Sequence, residues 1–135
     1  MSNFKFSAKS LGRLSGVNND LCDLMTLALS RSPIDFGIPE FGGLRTVEDQ
    51  KKLFDKGLSK ADGTIRKSYH QTGNAVDVFA YVNGKASWDE VHLSLIAGVV
   101  LSCAKELNLN VTWGGTFGSK EFKGWDMPHF QIELK

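Results

Sequence analysis

Asn83 and Gly84 stand side by side at the end of Ala75–Val82, a run with strand character. Asn-Gly is a strong hairpin signal, because both residues tolerate the φ > 0 backbone that a two-residue turn between paired strands requires. The chain is therefore expected to reverse there. Elsewhere, helix and strand patterns follow one another without regular strand-helix-strand alternation, which argues against a parallel sheet. Leu21, Leu24, Met25 and Ala28 recur at helical spacing between Asn19 and Arg31, with Asn18 or Asn19 to cap the start and Pro33 to end it. Asp35–Gly43 reads as a strand entering a tight turn. Thr46 with Asp49 resembles a capping box that opens a helix reaching Gly57, and Ser87 with Glu90 forms another before a helix reaching Leu107. Val91, Leu95, Val99 and Cys103 would share one face of that last helix. Leu109–Trp113 and His129–Leu134 read as further strands. The expected fold is α+β, with a small, mostly antiparallel sheet and flanking helices.

Composition narrows the function classes. The 135 residues suit one ordinary domain that folds without disulfides, and 16 basic against 15 acidic residues supply no basic field for nucleic acid. Cys22 and Cys103 lie in apolar helical patterns and read as two buried reduced thiols. The polar start, Met1–Ser10, lacks the apolar core of a signal peptide, and the longest apolar run, Leu95–Leu101, is too short for stable membrane insertion. A protein made in the cytosol, monomeric and without a signal of its own, is expected.

Chemistry concentrates in two places. Ser59–Gly73 is polar, glycine-bearing and without period, so it reads as a long loop, and long loops are more often functional than accidental. That loop delivers His70 toward a strand containing Asp77. Imidazole and carboxylate are ordinary zinc ligands, and a catalytic zinc site needs three protein ligands with a fourth position left for water. Of the other two histidines, His92 reads as a surface residue of a helix, whereas His129 follows Asp126 by three residues in Asp126-Met127-Pro128-His129-Phe130 at a strand start.

Ser68 to Asp77 follows the pattern S-x-H-x-x-G-x-A-x-D, and Asp126 to Phe130 follows D-x-P-H-F. With Gly43-Leu44-Arg45-Thr46, Gln50 and Trp113-Gly114-Gly115, these elements resemble the zinc D-alanyl-D-alanine carboxypeptidase family. That family includes VanY- and VanX-type peptidases and the phage endolysins that act as L-alanyl-D-glutamate peptidases. The resemblance spans 42–134 and implies a hedgehog/DD-peptidase-like fold. It implies one Zn2+ per chain held by His70, Asp77 and His129, with Asp126 as catalytic acid/base. It implies Arg45 as a cation near the scissile carbonyl or a substrate carboxylate, and Ser68 and Gln50 as substrate-binding candidates. Asp126 could instead orient His129, and Arg45 could pair with a surface acid. Trp113, Phe117, Phe122 and Trp125 could floor a substrate groove or serve the core. Thr116-Phe117 follows Trp113-Gly114-Gly115 where many of the phage peptidases have Asp and some add a calcium-binding loop, so no calcium switch is expected.

The D-x-P-H-F form resembles the endolysin branch, which implies cleavage of the L-Ala–D-Glu bond of the bacterial peptidoglycan stem peptide. Such an enzyme would wait in the host cytoplasm and reach the wall through a holin-type lesion. Two alternatives stand beside it: a D,D-carboxypeptidase or dipeptidase acting on D-Ala-D-Ala termini, and a zinc-containing binding module without turnover.

Overall fold

A computed structural model describes residues 3–117 and 126–134. Four helices, α1 (Ala8–Arg13), α2 (Asn19–Arg31), α3 (Val47–Asp55) and α4 (Glu90–Glu106), accompany six short strands among these residues. The strands are β1 (Asp35–Gly37), β2 (Ala75–Asp77), β3 (Phe79–Val82), β4 (Lys85–Ser87), β5 (Val111–Trp113) and β6 (His129–Ile132). All strand pairing is antiparallel, in two three-stranded sheets ordered β1-β3-β4 and β2-β6-β5. The α+β expectation holds, with one refinement. The run Ala75–Val82 is not one strand: it is interrupted at Val78, whose backbone N–H donates to Pro128 O at 3.0 Å, and its two halves join different sheets. Asn83 and Gly84, at φ 53° and 76°, close the β3–β4 hairpin as expected.

α2 begins at the expected cap, with Asn18 Oδ1 accepting from Asp20 N at 2.8 Å, and buries Leu21, Leu24, Met25 and Ala28 against α4. α4 departs from expectation at both its start and its face. Asp89, not Ser87, is its N-cap, accepting from Val91 N at 2.8 Å. Ser87 ends β4 and pairs with His92 Nδ1 at 2.7 Å. The buried stripe is Leu93, Ile96, Ala97, Val100, Cys103 and Ala104, while Val91 and Leu95 are exposed. Residues four apart drift around a 3.6-residue helix, so the strict i, i+4 series starts off the core face at Val91 and is fully on it only at Cys103. Almost every side chain from Val91 to Leu101 is apolar or small, and the period had little contrast to follow.

Helix α1 has no counterpart in the sequence reading, being too short for periodicity to show. Ser7 caps it, and Ser10 Oγ accepts from Ile38 N at 3.1 Å, fastening it to the end of β1. Phe36, Ile38, Val76, Val78, Ile96, Val100 and Phe130 form the centre of the core, and α2 and α4 close it. Emptying a site such as Phe130, which is fully buried, costs about 3–5 kcal/mol in comparable cores. Both cysteines are free thiols, Cys103 buried and Cys22 only partly so. Among the described residues no helix is long and apolar enough to cross a membrane.

Candidate active site

Each of three side chains is delivered by a different local device. His70 lies in a 3-10 turn, Tyr69–Thr72, inside what reads from sequence as an unstructured loop. Ser68 Oγ accepts from His70 N at 3.1 Å and Gln71 Oε1 accepts from Ser68 N at 2.9 Å, a reciprocal box that starts the turn. Gly73 ends it at φ 76°, and its carbonyl accepts from Asn18 N at 2.8 Å, docking the turn on the start of α2. Asp77 ends β2 and lies directly across from His129, which begins β6. Side chains opposite each other on an antiparallel pair share a face, so pairing alone brings carboxylate and imidazole together.

Three ligand atoms converge. His70 Nε2, Asp77 Oδ1 and His129 Nδ1 are each 3.2 Å from the other two. Tetrahedral ligands at ~2.0 Å from a zinc ion lie about 3.3 Å apart, so the spacing fits such an ion. Hydrogen bonding on the far side of each ring makes the same point. His70 Nδ1 lies 2.9 Å from Gly43 O and His129 Nε2 lies 2.8 Å from Gln131 Oε1. Both oxygens only accept, so each outer nitrogen carries a proton, and each ring when neutral turns its lone pair inward. Two lone pairs and a carboxylate oxygen facing one another form a donor set for a cation.

The charges around this centre are strongly coupled. Without an ion, burial alone would raise the Asp77 carboxyl, but the charges and hydrogen bonds of His70 and His129 in their protonated forms outweigh it and hold the group well below the usual carboxylate range. Burial lowers His129, yet its bond to Asp77 and the charges of Asp77 and Asp126 leave it raised. Asp126 stays outside the triad, with Oδ2 3.8 Å from His129 Nδ1. Burial and then the Asp77 charge push its carboxyl upward against the pull of His129, His70 and Arg45. The Trp113-Gly114-Gly115 segment shapes this corner. Trp113 Nε1 donates to Met127 O at 2.7 Å, and a Cβ at Gly114 would collide with the carbonyl oxygen of Asp126.

A cleft of about 430 Å³ opens over the centre, walled by Arg45, Lys67, Ser68, Tyr69, Phe117 and Asp126. Arg45 reaches Asp77 Oδ2 and Gln50 Oε1 at 3.1 Å each and Phe41 O at 2.7 Å. Gln50 is fully buried behind it, with Nε2 donating to Ser59 Oγ and Ala61 O at 2.8 Å each. The Ser68 hydroxyl is engaged in capping, although the residue borders the cleft. His92, half-buried on α4 and paired with Ser87, is not part of the converging set. Of the four groove aromatics, Phe117 meets the His129 ring at 5.5 Å and Trp113 packs against the core, while Phe122 and Trp125 lie outside the described residues. Gln131 and Glu133 went unnoticed in the sequence. Their spacing from His129, by two and four along a strand, was the available signal, since alternate residues share a face.

The family model for the phage L-alanyl-D-glutamate peptidases matches residues 1–132. The chain belongs to that family. Among its relatives is the L-alanyl-D-glutamate peptidase of Escherichia phage T5, 31% identical over 117 residues that make up 86% of this chain and 83% of the phage protein. The crystal structure of the Serratia marcescens L-Ala D-Glu endopeptidase ChiX is similar at a TM-score of 0.81 and 35% identity, covering 98% of this chain and 92% of that one. An L,D-carboxypeptidase, DacB from Streptococcus pneumonia, shares the fold at a TM-score of 0.50 and 20% identity, over 87% of this chain and 67% of its own. Membership of the phage peptidase family agrees with the D-x-P-H-F reading of Asp126–Phe130.

Proposed function

We propose that the protein is a zinc endopeptidase of bacterial peptidoglycan that cleaves between L-Ala and D-Glu of the stem peptide. The observation that carries this reading is the set of three ligand atoms, mutually 3.2 Å apart, beside an unligated carboxyl in a family of L-alanyl-D-glutamate peptidases. His70, Asp77 and His129 would hold one Zn2+, which would polarise the scissile carbonyl and make water a competent nucleophile near neutral pH. Asp126 borders the same cleft outside the triad, and it would accept a proton from the attacking water and return it to the leaving amine. Arg45 presents positive charge where negative charge develops on the carbonyl or where the D-Glu α-carboxylate lies. Gln50 serves by fixing Arg45, and Ser68 by fixing His70. The protein would act as a monomer, waiting in the host cytoplasm for access to the wall.

Mass spectrometry of digested peptidoglycan tests the bond. Glycan strands left with lactyl-L-Ala, and free peptides beginning with D-Glu, are expected. Release of D-Ala alone would replace this reading with the D,D-carboxypeptidase one. Zinc uptake without any turnover would leave a binding module.

A further inference from the structure

Four side chains run in an unbroken hydrogen-bonded line from the cleft wall to the ligand triad. Tyr69 Oη donates to Glu133 Oε1, Gln131 Nε2 donates to Glu133 Oε2, and His129 Nε2 meets Gln131 Oε1, each at 2.8 Å. The line has a direction that chemistry alone fixes. A carboxylate only accepts, so Gln131 must turn its NH2 toward Glu133 and its oxygen toward His129. That oxygen also only accepts, so Nε2 of His129 must carry a proton, and in the neutral ring that leaves Nδ1 with the lone pair that faces Asp77 and His70. Glu133 is itself pinned, because its backbone N–H donates to Asn110 O at 2.8 Å.

We propose that Glu133 is a positioning residue that sets the tautomer of His129 through Gln131 and so readies Nδ1 for the metal. The inference rests on the zinc reading above. Without the carboxylate, the Gln131 amide has two orientations. One of them points NH2 at His129, which calls for a lone pair on Nε2 and places the proton on Nδ1, where the ion must bind.

The test is a double-mutant cycle on zinc affinity, read by chelator competition with the zinc-loaded protein and accompanied by thermal unfolding. Glu133→Lys offers Gln131 only donors and should reverse the amide, lowering zinc affinity by about 10–100-fold, the usual scale for such outer partners. The substitution also replaces a negative charge by a positive one, so the cycle includes Gln131→Leu, which severs the line. In that background Glu133→Lys should cost no more than about threefold further, because contacting residues couple and severed ones do not. Equal losses in both backgrounds would show a charge effect at a distance and overturn the inference. If Glu133→Lys fails to fold, Glu133→Ala takes its place in the same cycle, with the same requirement that Gln131→Leu abolish its effect. A parent protein that takes up no zinc would remove the metal reading itself, and this inference with it.

Discussion

Arg45 and Asp77 are joined through the carboxylate oxygen that the two histidines leave free, Nη2 to Oδ2 at 3.1 Å. With Phe41 O and Gln50 Oε1 taking two further donors, three of the five guanidinium N–H groups are committed and two remain for a ligand. Arg45 therefore braces a metal ligand and faces the cleft at once. Arg45→Lys keeps the charge but loses the fork. It should lower kcat/KM by about 10–100-fold with a smaller fall in zinc affinity, the signature of a lost partner around a ligand. Steady-state kinetics beside a chelator titration checks this, and kcat/KM equal to that of the parent would count against it.

Asp126 should be separable from the metal. Asp126→Asn is expected to retain zinc and fold while losing turnover by ~10²-fold or more. If Asp126 is the base that must ionise, the acid limb of kcat/KM seen in the parent should be missing from the residual activity of the variant. An unchanged limb in Asp126→Asn would assign it to another group.

Removing any of His70, Asp77 or His129 should remove zinc and activity together, since two ligands cannot close the site. The chelated parent protein should show a pH dependence of its own. Asp77 is depressed in the folded state, so its contribution is full above the unfolded value of ~3.9 and lost as pH falls further. His129 is raised, so its contribution is full below ~6.5 and lost as pH climbs through its folded value. Asp126, also raised, contributes fully below ~3.9 and loses that contribution as pH climbs through its folded value. Thermal unfolding from pH 3 to 9 should therefore fall away at both ends without zinc, and the gain on adding zinc should grow with pH as the ligands lose protons. A gain independent of pH would contradict the assigned donor set.

Gly114→Ala tests the corner that holds the acid. The new methyl would meet the Asp126 carbonyl oxygen, forcing the turn before His129 to shift. Overpacking of this kind costs about 1–3 kcal/mol. Turnover should drop further than stability alone explains, because a displacement near 1 Å can cost ~10²-fold in rate. Activity measured well below the melting temperature separates the two effects.

How far the site was legible depended on how local its determinants were. His70, Asp77 and His129 stand out because few residue types make zinc ligands, and the motifs around them carry the family resemblance. The box formed by Ser68 and Gln71 is equally local, but Ser68 reads from its motif as a substrate-binding candidate and not as the cap of a turn. The resemblance points to Gln50 and Arg45 as groups near substrate, yet the contacts of Arg45 with Gln50 and with Asp77 arise from tertiary packing that no spacing reveals. The face of α4 failed for a different reason: a helix apolar nearly all round has no preferred stripe until its neighbours choose one. The division of Ala75–Val82 is likewise decided by what pairs with each half, β6 on one side and β1 with β4 on the other.

That division makes chain length in this stretch a heritable property in its own right. Between Ala75 and Asp77 the side chains alternate faces, so one added residue would send Asp77 toward the core and a valine toward the metal. Residues added at Asn83-Gly84 would lengthen only a hairpin turn. Insertions and deletions among related genes should therefore gather at 83–84 and be missing from 75–78. A single alanine inserted after Ala75 should yield a chain that neither melts cooperatively nor takes up zinc, whereas one inserted after Gly84 should do both.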